Sequence, residues 1–136
     1  MAIAVPGRKM AAAFGLVAAT TCGGANADPA RLTANSGREI RLVFVSEVNL
    51  DCKAAGTAVV DVINTPFHGQ VRIQNERGLP SFAEDSPRHA CNQRQVKGVG
   101  VYYTSDKDYA GDDYITLHYG FPDGNESTSD FVVTVK

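Results

Sequence analysis

The 136-residue chain has no apolar run long enough to cross a bilayer, no excess of basic charge, and no helical apolar period beyond its first segment. The first absence excludes a permanent helical anchor, which needs about 20 consecutive apolar residues. The second removes the electrostatic footprint of a nucleic-acid binder. The third points away from helices: after residue 27 no stretch of ten residues repeats its apolar positions every 3.6 residues.

Reactive constellations are missing too. There is no Cys-x-x-Cys pair to lower a thiol pKa. The three histidines, His68, His89 and His118, stand far apart and fit no metal-ligand spacing. Ser46, Ser81 and Ser86 lie in no nucleophile-elbow motif, and no Gly-rich phosphate loop is present. The chain reads as a non-enzyme without a cofactor or a catalytic metal.

What is present begins with an export signal. Arg8 and Lys9 precede an apolar stretch from Met10 to Thr21, which ends near Ala25-Asn26-Ala27. Basic start, short apolar helix and small residues are the ordered parts of a signal peptide, so residues 1–27 are expected to be cleaved. Thr21 stands before Cys22 where a lipidation site takes Gly, Ala or Ser. Removing Arg8 and Lys9 leaves 11 basic residues against 15 acidic ones, a net charge of −4. That mild acidity suits a soluble periplasmic or secreted protein and not one docked on anionic lipid.

Two cysteines, Cys52 and Cys91, then remain in an oxidising compartment, where pairing is the default. Closing a loop of about 40 residues stabilises a small domain by up to about 4 kcal/mol on the chain-entropy model.

Residues 28–37 read as a loose, polar lead-in, and residues 38–136 as one domain. Within it six runs alternate or are β-branched: Glu39–Ser46, Val59–Ile63, Gln70–Gln74, Val99–Tyr103, Asp113–Tyr119 and Phe131–Val135. In the first run Ile40, Leu42 and Phe44 are expected on one face and Arg41, Val43 and Val45 on the other. The irregular stretch Asn75–Lys97 reads as a long excursion tied back through Cys91. Short strands between Gly, Pro, Asn and Asp turns indicate an all-β domain, a β-sandwich or else a small barrel.

The densest chemistry is Asp106-Lys107-Asp108-Tyr109-Ala110-Gly111-Asp112-Asp113. Its carboxylates at relative positions 1, 3 and 7, with Gly at 6, imitate the start of a calcium loop. Ala110 at position 5 and Leu117 at position 12 break the imitation. A calcium-dependent domain or small secreted hydrolase using the Asp106–Asp113 turn is the alternative to a non-catalytic binding module. Tyr102, Tyr109 and Tyr114 offer an aromatic strip for contact or, more simply, fill the core and its rim.

Thr65-Pro66-Phe67-His68-Gly69-Gln70-Val71 resembles the Thr-Pro-x-His-Gly-x-Val turn and strand of bacterial cadherin-like and immunoglobulin-like repeat domains of surface proteins. Val101-Tyr102-Tyr103-Thr104, then Tyr109-Ala110-Gly111-Asp112-Asp113-Tyr114-Ile115, resemble the same family's later segments, and Phe131–Val135 its closing strand. The resemblance covers about two thirds of the chain after residue 27. It implies an immunoglobulin-like β-sandwich, with Asp113 in the family's turn-fixing place. It also implies a role in contact with another envelope or extracellular protein, or with a polysaccharide. A single copy is present, crossed by a disulfide.

Overall fold

Ile115, Leu117 and Tyr119 alternate with Tyr114, Thr116 and His118, and only the first three are buried. The same period of two buries Val99, Val101 and Tyr103, and Phe131, Val133 and Val135. Each fully buried aliphatic side chain contributes on the order of 1.5–3 kcal/mol relative to exposure. These stripes determine which face of each strand turns inward. The computed structural model describes residues 27–136; the segment read as a signal peptide lies outside the described residues except for Ala27.

Seven strands follow in order: β1 (Ala30–Ala34), β2 (Glu39–Val45), β3 (Val59–Asn64), β4 (Gly69–Gly78), β5 (Val96–Ser105), β6 (Gly111–Gly120) and β7 (Glu126–Val135). They form a four-stranded sheet, β1-β7-β6-β3, and a three-stranded sheet, β2-β5-β4. Both sheets contribute to one core, with Leu42, Val101 and Tyr103 from one and Leu117, Phe131 and Val133 from the other. All pairings are antiparallel except β1 with β7, which is parallel.

Several expectations are corrected. The polar lead-in is not loose, because Ala30–Ala34 is a strand whose residues pair from Ala30 with Phe131 to Ala34 with Val135. Its own pattern is weak; the ladder offered by β7 orders it. The two faces of β2 also exchange part-way. A β-bulge between Arg41 and Val43 adds one residue. Leu42 and Val45 therefore both reach the main core, while Phe44 joins a second cluster with Val48, Cys91 and Val96. Ile73 lies opposite Val101, yet stays 42 % exposed because β4 is the open edge of its sheet.

The excursion is shorter than the sequence suggests, since β4 continues to Gly78 and β5 begins at Val96. Residues 79–95 carry a 3₁₀ turn, His89–Gln93, that presents Cys91. Phe44 leans on Gly78 and Gly98, and a Cβ at Gly98 would lie 2.5 Å from its ring. Cys52 and Cys91 are joined in a disulfide, with Cα atoms 5.3 Å apart. Among the described residues no helix is long and apolar enough to cross a membrane.

Candidate functional site

The connections gather into two groups, one at each end of the sheets. At the first end the β3–β4 and β5–β6 connections meet on Asp113, which is 1 % exposed. Its Oδ1 accepts the Phe67 amide at 2.9 Å, and its Oδ2 accepts the His68 amide at 3.0 Å. The Tyr103 hydroxyl also donates to Oδ2, at 2.8 Å. Burial, then this bond to a carboxylate, push the Tyr103 phenol well above its ordinary range.

Neighbouring groups complete the clamp. The Asp106 amide donates to the His68 carbonyl at 2.7 Å. The His68 ring stacks on Tyr109, with centroids 4.1 Å apart and planes inclined by 13°. Tyr109 in turn donates to the Asp112 carbonyl. Gly69 is required at the bend, because a Cβ there would lie 2.6 Å from the Thr104 carbonyl and the Tyr103 ring. Thus the Thr65–Gly69 turn and the Asp106–Asp113 turn form one hydrogen-bonded unit.

That arrangement takes one acid of the Asp106–Asp113 turn out of reach of a cation. Asp113, which follows the calcium-like positions Asp106, Asp108 and Asp112, is enclosed and occupied by amide and hydroxyl donors. The Asp112 carboxylate accepts from Thr134, and Asp106 and Asp108 are exposed. Among the described residues no three His, Cys, Asp or Glu side chains converge as a metal site would require.

The tyrosines and histidines do not make one site either. Tyr102, on the outer face of the three-stranded sheet, donates to Glu76, and Arg72 covers its ring at 4.5 Å. Arg72 is also held by Glu39. Tyr114 lies on the other sheet and is 52 % exposed. His118 faces Glu126 at 3.8 Å, and His89 begins the 3₁₀ turn.

The second end is built from the β2–β3 connection, the 79–95 excursion and the β6–β7 turn. The disulfide fastens the first two, Val48, Cys91 and Val96 bury the joint, and Phe82 packs against it. Arg88 Nε donates to the Val48 carbonyl at 2.7 Å. Asn92 secures Phe82 by accepting its amide and donating to its carbonyl. A cleft of about 310 Å³ opens among the three segments, lined by Glu47, Phe82, Arg88, Phe121 and Asp123. Leu50 and Leu79, on two of those connections, are more than half exposed.

No family model, curated protein or solved structure matches this chain at a significant level.

Sequence reasoning placed Asp113 and the cysteines, but missed Glu47, Arg88 and Asp123. Nothing in their spacing signals that they share a cleft; only the fold brings their three connections together.

Proposed function

We propose that the chain is an exported immunoglobulin-like binding module, which contacts another envelope or extracellular protein or a polysaccharide through its disulfide-bearing end. The strand order supports the fold reading. Labelled in sequence as A to G, the sheets run B-E-D and A-G-F-C, the immunoglobulin arrangement with its first strand moved beside the last. The turn fixed by Asp113 supports the resemblance at the motif that first suggested it.

One observation carries the functional part: a long excursion is fastened by Cys52–Cys91 onto the β2–β3 connection, beside the β6–β7 turn. Binding residues concentrate on connections held by a rigid scaffold, and holding them in advance lowers the ordering cost of association. Exposed Leu50 and Leu79 supply apolar contact there.

The test is capture from envelope extract, together with a glycan array, using the processed chain. A partner or glycan retained by wild type is expected to be lost on Leu50→Ser with Leu79→Ser, substitutions at exposed positions that leave folding intact. Silence in both assays overturns the reading.

A further inference from the structure

The cleft at the disulfide-bearing end contains an acid with one unpartnered oxygen. Glu47 Oε2 is shielded from solvent and meets no hydrogen-bond donor among the described residues. Buried polar atoms are almost always satisfied, and an unmade bond costs more than an ordinary one gains. A carboxylate can only accept. If no donor approaches Oε2, the bond is recovered by placing a proton on Glu47 itself, so that its O–H donates.

The other carboxylate lining the same cleft is Asp123, on the β6–β7 turn. Asp123 is held in place by Asn125, which donates its backbone amide at 2.9 Å and its side-chain amide at 2.6 Å. Arg88 also lines the cleft, with its Nε committed to the Val48 carbonyl.

We propose that one proton, shared between the Glu47 and Asp123 carboxyl groups, latches the β2–β3 connection to the β6–β7 turn, and that its loss releases the latch. The electrostatics agree with the geometry. Burial first, then the charge of Asp123 and a hydrogen bond to its side chain, push the Glu47 carboxyl above its ordinary value. Arg88 and the Asp123 backbone amide oppose them. With its folded pKa raised, Glu47 contributes stability that is fully present below the ordinary Glu value of 4.5. That contribution is lost as pH rises through the folded value. The latch therefore closes this end in acid and loosens it toward neutrality, whatever the ligand of the module.

Carboxyl-carbon NMR titration of the processed chain tests this directly. Glu47 is expected to titrate above about 4.5 and to fall back toward that value in Asp123→Ser, whose hydroxyl still accepts the Asn125 amide. Glu47→Gln carries a permanent donor in place of the proton. It is expected to melt on the order of 2–4 °C above wild type at pH 7.5 and level with it at pH 4. A Glu47 midpoint at or below the ordinary value overturns the latch. So does a midpoint that Asp123→Ser leaves in place, or a Gln variant that melts no higher than wild type at pH 7.5.

Discussion

Tyr103 and Asp113 meet inside the fold, where a fully buried phenol donates to a buried carboxylate at 2.8 Å. Tyr103 stands on the three-stranded sheet and Asp113 on the four-stranded one. Their bond ties the two layers at the same point where Asp113 gathers the Phe67 and His68 amides. Replacing Asp113 with Ala strands the Phe67, His68 and Tyr103 donors at once. At about 1–3 kcal/mol for each group left unsatisfied, with partial relief by relaxation, the loss is expected to reach ~4 kcal/mol. Urea unfolding measures it. Asp113→Asn keeps an acceptor and is expected to cost less than half as much.

The same contact predicts alkaline behaviour. The Tyr103 phenol is raised above its unfolded value of 10.0, so its contribution is complete below that pH. It is lost as pH climbs through the folded value. Stability is thus expected to fall above pH 10, and Tyr103→Phe is expected to flatten that fall while lowering stability at pH 7. Ultraviolet titration should show at least one tyrosine ionising only when the protein unfolds.

Tyr119 should behave in the opposite way. Among the described residues its hydroxyl is buried without a partner, and burial raises its phenol above the ordinary range. Deleting an unpaired buried hydroxyl removes a desolvation cost, so Tyr119→Phe is expected to be neutral or stabilising by up to about 1 kcal/mol. A loss of 1 kcal/mol or more in urea would contradict the absence of a partner.

Reduction of Cys52–Cys91, or Cys52→Ala with Cys91→Ala, is expected to destabilise the domain by about 3–4 kcal/mol. The damage should be local first. Hydrogen exchange is expected to accelerate in the 79–95 excursion and the β2–β3 connection before it does in β5, β6 and β7.

Calcium at millimolar concentration is expected to leave the melting temperature unchanged, because Asp112 already accepts from Thr134, and Ala110 and Leu117 stand where two further ligands belong. A rise of several degrees would show that the Asp106–Asp113 turn rearranges to take the ion.

Much of the layering was legible from alternation alone. Ile115, Leu117 and Tyr119 point inward as their spacing requires, as do Val99, Val101 and Tyr103. Counting in twos failed at β2, because it assumes that no residue is inserted, and the bulge at Leu42 inserts one. β1 was hidden for another reason: Ala30–Ala34 pairs with the last strand of the chain, a contact that local composition cannot announce. The position of Asp113 carried a motif and could be read. Glu47, Arg88 and Asp123 carried none, since a cleft made by three distant connections leaves no local pattern.

The parallel pairing of β1 with β7 has a mechanical consequence. β1 enters at Ala30 beside Phe131 and finishes at Ala34 beside Val135, after which Lys136 bonds Ala34 and Ser36. A pull that separates Ala30 from Lys136 therefore slides one strand along the other and loads all their bonds together. Such a joint resists tension better than a hairpin peeled open from one end, so the domain is built to hold when tugged along its length.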